Sequence, residues 1–488
     1  MWKIPRKAIS KKCILIIFII LISRTFSYGI ENEMARHAPE GTIESTESKP
    51  LMWTVPFKEN FRLRDIRGGE DMSLRLEKTQ FKYDLILELL SDKGLPNIEE
   101  LMGRNITVVI EIDDNPIRYI NGYITEITYE PDRKRYVATI NPWTFFLTRN
   151  ADMEIFQDLT IPEIVKRVFS RYKFSDYEFH ISEKHPVKEN CVQYRETDFN
   201  FVSRILEQEG IYYYFKYEKG RHTLILTDNM KFHKPFNNKS VFTIAKESEG
   251  DRNNKEETIS TNIIYGRGYS YKLQPTIYTL KDFDFRNPNA QELLATAKIE
   301  RPHSFNDFEI YDYPGEYQSP EDAKFYARLR VEELQSDYAR IYGVASSINL
   351  YTGFVINVDD EAAPKGKYLV TSSDLHISFT GEDVYLVSSF TAIPISETFR
   401  PIRLTPKPSI SGVQTAIVVS PRADKYGRVK VKFHWTRPNG ESSSAWLRVA
   451  QPINAEENYV PKVGKEVLVN FLEGDPDRPV ISGVFLSD

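Results

Sequence analysis

Cysteine is nearly absent from this chain of 488 residues, which carries only Cys13 and Cys191. Two thiols exclude a disulfide scaffold and a four-cysteine zinc site. Glycine is also scarce, with 23 residues, which excludes collagen-like and glycine-rich low-complexity architectures. We interpret Cys191, beside Val192, as a small apolar side chain in a strand.

An excess of charge of one sign is lacking as well. Lysine and arginine number 64 and aspartate and glutamate 69, so the formal net charge is −5. This balance excludes a strongly basic protein that coats nucleic acid. The 41% hydrophobic and 27% charged residues are an ordinary globular mixture, which excludes wholesale disorder. Aromatic residues make up 13%, a high share that suits strands and large contact surfaces.

Long hydrophobic runs are missing too. The apolar stretch 13–22 is shorter than the roughly 20 residues of a membrane span. Within residues 1–29 it follows a basic head and precedes small residues, which is a signal-peptide pattern. An uncleaved anchor and a start codon assigned too early are the alternatives. We favour translation from Met34 or Met52, with a polar linker over 30–56, because the recognisable fold begins only near residue 57.

Enzyme motifs are not found either. The chain has no G-x-S-x-G elbow, no Walker loop and no H-E-x-x-H. Gly464-Lys465 lacks the rest of a phosphate loop, and Gly266-Arg267-Gly268 is too short for a dinucleotide fingerprint. We therefore predict no enzyme activity, no catalytic residues, no cofactor and no metal site.

Three groups of residues contain side chains of the types that act in catalysis or metal binding, but none has the spacing of such a site. His180 and His185 are the closest histidine pair but lack the spacing of helical metal ligands. Glu207 and Glu209 are too close in sequence to define a glycosidase pair. The third group is a set of carboxylates in one loop, Glu473, Asp475 and Asp477. We interpret it as a structured charged hairpin in which Arg478 supplies a counter-charge, rather than as a site for a hard cation.

A basic strand face is predicted near the C-terminus. Arg428, Lys430, Lys432 and His434 alternate with apolar residues that include Phe433 and Trp435. Small barrels bind single-stranded nucleic acid through basic grooves with aromatic platforms. Here the aromatic residues lie on the opposite face, which we assign to the core. We expect the basic stripe to face solvent or other subunits, and we expect no nucleic-acid partner.

The patterns that are present predict a mainly β protein with helical insertions. Along 81–90 every second residue is apolar, which predicts a strand with one fully apolar face, and this period-two pattern recurs to about residue 147. Capping and helical periodicity predict helices over about 160–172, 197–210 and 319–334. After a linker near 407–413, short strands separated by glycine-rich turns, including Asn439-Gly440, predict a small barrel of about 75 residues.

Several segments resemble the valine-glycine repeat (VgrG) spike proteins of type VI secretion. They are IFQDLT (155–160), VQYRETDF (192–199), LEQEGIYY (206–213), YDYPG (311–315), RLTPKP (403–408), DKYGRVKV (424–431) and FLEGDPDRP (471–479). The resemblance covers about residue 57 to the end. It implies a phage-hub-like region over 57–406, with two β-barrels and helical insertions, followed by an oligonucleotide/oligosaccharide-binding (OB) barrel over 407–488.

The same resemblance implies a structural, trimeric spike or hub. Its expected partners are two further copies, a hexameric tube protein (Hcp-like), baseplate components, a tip protein, effector cargo and the target membrane. It would assemble in the bacterial cytoplasm and leave on firing, although the signal-like segment conflicts with that route. We expect the β-helix needle usual in the family to be absent from this chain. The alternatives are a prophage or extracellular injection-particle hub, a peptidoglycan hydrolase, and an exported or membrane-anchored binding protein.

Overall fold

The computed structural model describes the following residues: 16–22, 52–55, 61–72, 81–89, 97–111, 118–236, 240–244, 262–286, 293–360, 366–380, 383–437, 444–451 and 459–485. Apart from Ile16–Ile22 and Met52–Val55, the predicted signal-like segment and polar linker lie outside these residues, as does the Asn439-Gly440 turn. Within the described ranges, no helix is both long and apolar enough to cross a membrane.

Strands dominate the chain, as predicted. In chain order they are β1 (Ile16–Ile22), β2 (Met52–Val55), β3 (Phe61–Asp71), β4 (Phe81–Leu89), β5 (Asn105–Glu111), β6 (Arg118–Glu130), β7 (Arg135–Asn141), β8 (Ala151–Thr160), β9 (Tyr177–His180), β10 (Val187–Thr197), β11 (Tyr212–Glu218), β12 (Arg221–Thr227), β13 (Val241–Ile244), β14 (Ile263–Tyr271), β15 (Ile277–Lys281), β16 (Leu294–Lys298), β17 (Glu309–Asp312), β18 (Ala339–Ala345), β19 (Val355–Asp359), β20 (Gly366–Thr380), β21 (Asp383–Pro394), β22 (Gln414–Val418), β23 (Val429–Phe433), β24 (Ala445–Val449), β25 (Glu466–Phe471) and β26 (Pro479–Val484). The α-helices are α1 (Ile161–Ser170), α2 (Asp198–Gln208) and α3 (Pro320–Gln335). Short 3-10 helices cover Ile98–Leu101, Pro131–Arg133, Trp143–Thr148, Met230–Phe232 and Leu472–Gly474.

Six strands close into a barrel in the order β19-β13-β14-β18-β21-β20, because β19 also pairs with β20. Apolar side chains from all six strands fill its interior; they include Phe242, Ile264, Ile341, Ile356, Val370 and Phe390. Closure leaves no open edge on these strands, which removes a route to aggregation.

The same sheet continues from β20 through β3, β4, β7, β6 and β5, and then through the backbone of β1 and β2. Phe81, Tyr83 and Leu85 are buried on one face of β4, which confirms the predicted alternation. Strands β3 to β7 share one core with side chains of β20 and β21, so this part of the sheet wraps around a second interior. The signal-like interpretation of residues 1–29 stays a prediction.

The three predicted helices are confirmed, and each begins next to a capping side chain. The Glu163 carboxylate accepts hydrogen bonds from the backbone nitrogen of Thr160 at 2.8 Å and from its hydroxyl at 2.7 Å, which fixes the start of α1. The Thr197 hydroxyl caps α2, and Ser319 caps α3 ahead of its first proline. Helices α1 and α2 pack on strands β8 to β12, and α3 packs on the small sheet β16-β15-β17.

The C-terminal strands form a closed five-stranded barrel in the order β22-β23-β24-β26-β25, which confirms the predicted small barrel. Its interior is apolar and includes Val418, Val429, Val431, Leu447 and Val467. We call β22 to β26 the terminal barrel. We call the described part of residues 61–400 the N-terminal body.

Candidate functional site at the joint of body and barrel

The loop between β25 and β26 of the terminal barrel lies next to the segment that connects the barrel to the N-terminal body. Glu473 and Gly474 have positive φ angles of 56° and 76°, so the chain bends sharply there. The carbonyl of Gly474 accepts a hydrogen bond of 2.8 Å from the backbone nitrogen of Ile410, in the segment that leads into the barrel. The loop is thereby fixed next to the connection between the two bodies.

Lys407, in that connecting segment, lies among three carboxylates. Its ammonium nitrogen is 2.8 Å from an oxygen of Asp475 and 2.8 Å from an oxygen of Asp477, both in the barrel loop. The Glu316 carboxylate of the N-terminal body lies 3.1 Å from the same nitrogen. One cation therefore joins the body, the connection and the barrel. We call these four residues the lysine joint.

Strand β10 provides further contacts between body and barrel. Asp477 accepts a hydrogen bond of 2.6 Å from the backbone nitrogen of Val192. Arg428 of the barrel forms ion pairs with Glu189 of β10 and with Asp424 of its own turn. Apolar side chains support these polar contacts, since Val192 packs in the same cluster as the barrel core. The barrel therefore contacts the N-terminal body through hydrogen bonds and ion pairs as well as through apolar packing.

The charges of the lysine joint shift one another's pKa values. Burial and the neighbouring charge of Asp477 raise the pKa of Asp475. Burial also acts to raise the pKa of Glu316, but the charges of Lys407 and Lys188 outweigh it and lower that pKa. Burial acts to lower the pKa of Lys407, and the three carboxylates outweigh it. Lys407 is thus held protonated, and its removal leaves three half-buried carboxylates without a cation.

This arrangement corrects one prediction about the loop. Asp475 and Asp477 belong to a structured charged hairpin as predicted, but their counter-charge is Lys407 rather than Arg478. The reason is that the connecting segment, distant from the loop in sequence, runs beside it. Among the residues that the structure describes, no group of histidine, cysteine, aspartate or glutamate side chains is arranged to hold a metal ion.

Glu207 and Glu209 have separate structural partners. Glu207 accepts hydrogen bonds of 2.9 Å from the backbone nitrogens of both Leu404 and Thr405, so it fixes the chain just before Lys407. Glu209 instead lies 2.9 Å from His185. The two carboxylates face different segments and do not form a catalytic pair.

His180 and His185, the closest histidine pair in the sequence, also have separate partners. His185 is buried between Glu209 and Asp228, and these carboxylates raise its pKa to about 9 although burial opposes them. His180 lies at the surface, 3.0 Å from Glu178. His185 is therefore a buried cation within an ion-pair cluster.

The predicted basic stripe of the barrel is only partly exposed to solvent. Phe433 is buried, Trp435 is half-buried and His434 is exposed, as predicted. Arg428 does not face solvent or another subunit, because Glu189 of the same chain binds it; for this residue the prediction was wrong. Cys191 is buried in β10 as predicted, and burial raises the pKa of its thiol to about 12.

Sequence reasoning missed Lys407, Glu316 and Glu189 as parts of the site. Lys407 and the two aspartates do occur in the segments RLTPKP and FLEGDPDRP, which carry the family resemblance. Their clustering in such segments was an available signal, but it does not pair the lysine with particular carboxylates. Only the fold brings the three segments together.

Family models match most of the chain. The model for the phage tail baseplate hub (GPD) matches residues 75–381. The model for the type VI secretion system/phage-baseplate injector OB domain matches residues 414–486, the terminal barrel. The predicted order of hub-like region and OB barrel agrees with these matches.

Curated relatives are type VI secretion system spike proteins. VgrG1a of Pseudomonas aeruginosa is 35% identical over 444 residues, which cover 86% of this chain and 67% of the relative. VgrG1c of the same organism is 35% identical, with 87% of this chain and 60% of the relative covered. The chain thus spans about two thirds or less of these relatives.

Solved structures share the fold. The E. coli c3393 protein, a component of the type VI secretion system, matches with a TM-score of 0.63 and 23% identity, covering 87% of this chain and 97% of that one. A chain of the Francisella PdpA-VgrG complex matches with a TM-score of 0.56 and 11% identity, covering 88% and 68%. At these identities the structures support the fold alone.

Proposed function

The chain belongs to the VgrG family of type VI secretion spike proteins, and on that premise we propose that it is a structural hub and spike subunit of a contractile injection apparatus. The observation that carries the proposal is the order of its parts: a hub-like body followed directly by an OB barrel. The lysine joint supports it, because a subunit that transmits thrust needs a fixed angle between these parts.

The proposed assembly is a homotrimer that caps a hexameric tube. Each chain contributes a region over 57–406 and an OB barrel over 407–488. Three copies, each with two similar barrels in the first region, offer six similar surfaces to a sixfold tube. Baseplate components, a tip protein and effector cargo complete the proposed partners, and the assembly acts on a target membrane. It forms inside the bacterial cell and leaves on firing.

Native mass spectrometry of the full chain, alone and with the hexameric tube protein, tests this proposal. We expect a species of three chains, formed alone or on addition of the tube protein, and a complex of one trimer with one hexamer. The control is the same tube protein prepared as monomers, which should not form the complex of one trimer with one hexamer. Only monomer at micromolar concentration under both conditions would contradict the proposal.

The proposal also assigns no catalytic step to this chain. The candidate carboxylates Glu207, Glu209 and Asp475 are engaged in structural hydrogen bonds and ion pairs. We expect no turnover of peptidoglycan, lipid or peptide substrates. Turnover that disappears in Glu207→Gln or Asp475→Asn, while both variants keep the wild-type thermal unfolding curve, would overturn this part of the proposal.

A further inference from the structure

Carboxylates fix the segment that connects the N-terminal body to the terminal barrel. Glu207 of α2 accepts hydrogen bonds of 2.9 Å from the backbone nitrogens of Leu404 and Thr405, and one of 2.7 Å from the Thr405 hydroxyl. Lys407 follows in the same segment and is held by the lysine joint. We call residues 404–407 the connector. Its position therefore depends on carboxylates at both of its ends.

Glu207 has no cation of its own. The residue is 1% exposed, and within the described part of the chain its carboxylate forms no ion pair. Arginines do line the cavity of about 310 Å³ beside it, but each is bound by another carboxylate: Arg204 by Glu196, and Arg330 and Arg403 by Glu333. Tyr213 of β11 and Asp312 also face this region. An ionised Glu207 is thus a buried charge without a counter-charge, which is costly.

A proton on Glu207 leaves its contacts with the connector intact. Oε2 accepts the two backbone hydrogen bonds, and Oε1 contacts the Thr405 hydroxyl. A hydroxyl group accepts as well as donates, so a protonated Oε1 donates to the Thr405 oxygen. The protonated form therefore keeps three hydrogen bonds and removes the buried charge. Burial and, to a lesser degree, the charge of Glu333 accordingly raise the pKa of Glu207 to about 7, although its hydrogen bonds oppose them.

The lysine joint also carries an excess of negative charge, since three carboxylates share one cation. Two of them use both oxygens. Asp477 accepts a hydrogen bond from the backbone nitrogen of Val192 with Oδ1 and contacts Lys407 with Oδ2. Glu316 contacts Lys407 with Oε1 and accepts a hydrogen bond of 2.6 Å from the Gln208 side chain with Oε2. A proton on either of these carboxylates would displace a donor.

Asp475 is the carboxylate of the joint that accommodates a proton. Its Oδ1 contacts Lys407 and accepts a hydrogen bond of 2.9 Å from the backbone nitrogen of Asp477. Within the described structure, neither a hydrogen bond nor an ion pair reaches its Oδ2. A proton on Oδ2 leaves both contacts of Oδ1 in place. Lys407 then faces two ionised carboxylates instead of three, which reduces their mutual repulsion.

Electrostatics distinguish the carboxylates of the joint in the same way. Burial and the charge of the neighbouring aspartate raise the pKa of Asp475. Burial also acts against ionisation of Glu316, but Lys188 and Arg204 reinforce Lys407 and lower the pKa of Glu316. The proton of the joint therefore belongs on Asp475.

The direction of the pH response follows from these shifts. Glu207 and Asp475 have a raised pKa while the connector is held, and each returns to its ordinary, lower pKa when the connector leaves and water enters. For Glu207 the held state therefore binds more protons than the released state between about pH 4.5 and pH 7. A fall in pH through this range favours the held state, and a rise in pH favours release.

We propose that the connector is a proton-dependent latch, which Glu207 and Asp475 tighten when they take up protons and loosen when they release them. The terminal barrel is then held most firmly on the N-terminal body in mildly acidic surroundings and changes its angle most readily above neutral pH. This inference goes beyond the proposed spike function, because it assigns a pH response to the connection of the two parts. It does not require the trimer.

Hydrogen exchange of the full chain at pH 8 and pH 6 tests the latch. The quantity compared is the protection factor, which is the intrinsic exchange rate of an amide at each pH divided by its observed rate. From pH 8 to pH 6 we expect protection of Leu404 and Thr405 to rise by about three- to tenfold, because the held state gains a proton at Glu207. Protection of Val192 and Ile410, which donate across the joint, should rise as well, and protection of β23 should not change.

Two variants reproduce the protonated latch. In Glu207→Gln the side-chain carbonyl accepts the two backbone hydrogen bonds, and the amide donates to the Thr405 oxygen. Protection of the connector amides should already reach the wild-type pH 6 value at pH 8 and change little between the two. Asp475→Asn should likewise raise the protection of Val192 and Ile410 at pH 8.

Glu473→Gln is the matched control, because Glu473 is an exposed carboxylate of the same loop as Asp475 and lies outside the lysine joint. It is expected to follow the wild type at both pH values. Circular dichroism establishes that each variant is folded. If Glu207→Gln does not fold, Asp475→Asn decides, and if neither folds, the comparison of the wild type at the two pH values decides.

Three outcomes would overturn the proposal. One is protection of the wild-type connector that stays constant or falls from pH 8 to pH 6. Another is a pH response of Glu207→Gln equal to that of the wild type. The third is an equal rise of protection in β23, which would indicate general stabilisation of the barrel rather than tightening of the connector.

Discussion

The interior of the terminal barrel and the lysine joint are adjacent, yet they are built from opposite chemistry. Val429, Val431 and Leu447 are completely buried among other apolar side chains. In the segment that leads into the barrel, Lys407 is enclosed by carboxylates from the body and the barrel loop. The first region excludes water, and the second fixes charged atoms at hydrogen-bond distances.

This difference separates two tasks. Apolar burial is non-directional, so the barrel core supplies folding free energy but does not determine how the barrel is oriented on the body. Ion pairs between half-buried groups, as in the joint, contribute little net stability, but they are lost when the geometry changes. We infer that the core makes the barrel fold and that the joint sets its angle. The predictions below separate the two effects.

The largest expected effect is loss of the barrel itself. Leu447→Asp places an unpaired carboxylate in the apolar interior, at a cost we expect to exceed about 4 kcal/mol of the free energy of unfolding. Chemical denaturation should show early unfolding of the barrel. Val463→Asp is the control, since Val463 is 54% exposed and should tolerate the charge. Equal loss in both variants would contradict the assigned core.

Removing the central cation should release the barrel without unfolding it. Lys407→Met leaves three half-buried carboxylates close together without a cation. We expect the free energy of unfolding at neutral pH to fall by an amount at or below the lower end of the roughly 3–5 kcal/mol that breaking a fully buried pair costs. The cost should fall toward pH 5, because burial raises the pKa of Asp475 and a protonated carboxyl needs no cation. Limited proteolysis of segment 404–413 measures the release.

The control for that variant is Lys432→Met, a half-buried lysine on the outer face of β23. It should keep the wild-type cleavage rate at both pH values. Unchanged cleavage in Lys407→Met would remove the joint from the account.

Acid should destabilise the body through a buried histidine. Nε2 of His222 accepts a hydrogen bond of 2.8 Å from the backbone nitrogen of Trp143, and Nδ1 lies 2.6 Å from Oδ1 of Asn121. Burial lowers its pKa from 6.5 to about 3, so the folded state stays neutral while the unfolded state binds a proton. Stability therefore falls as the pH drops below 6.5, by up to about 1.4 kcal/mol per pH unit.

Denaturation of wild type and His222→Gln at pH 7.5 and pH 5 checks this sign. Between pH 7.5 and pH 5 the free energy of unfolding of the variant should fall by about 1–2 kcal/mol less than that of the wild type. His180→Gln, at the surface, should follow the wild type. A steeper loss in His222→Gln than in wild type would contradict the neutral buried imidazole.

The smallest expected effect concerns Arg428, which forms a second contact between body and barrel beside the lysine joint. Arg428→Gln removes the ion pairs to Glu189 and Asp424, which are partly exposed, so we expect a loss of about 1 kcal/mol or less. Proteolysis of segment 404–413 should accelerate far less than in Lys407→Met. A larger effect than that of Lys407→Met would make the arginine, rather than the lysine, the centre of the joint.

Local patterns carried most of the fold prediction. The start of α1 follows from Thr160 and Glu163, three residues apart, and β4 follows from an alternation within nine residues. The joint could not be derived in the same way. Lys407 meets Glu316 across 91 residues, and Asp477 meets Val192 across 285. Such pairs depend on how whole barrels are arranged, which periodicity does not encode.

Charge patterns were informative only where the partner was local. The carboxylates of the 471–479 segment were correctly predicted to belong to a structured hairpin, but their cation lies in another segment. Arg428 precedes β23 and was predicted to face solvent or another subunit, yet it is bound by Glu189 of the body. Sequence thus predicted which residues carry charge at the joint better than which residues they bind.

Hydrogen exchange of backbone amides, read by mass spectrometry on the full chain, tests the central claim most directly. In Lys407→Met we expect faster exchange at Val192 and Ile410, whose nitrogens donate across the joint, and unchanged protection of β23 and β25. Faster exchange in the barrel strands as well, or unchanged protection at both joint amides, would contradict the separation between a barrel that folds through its core and a joint that orients it.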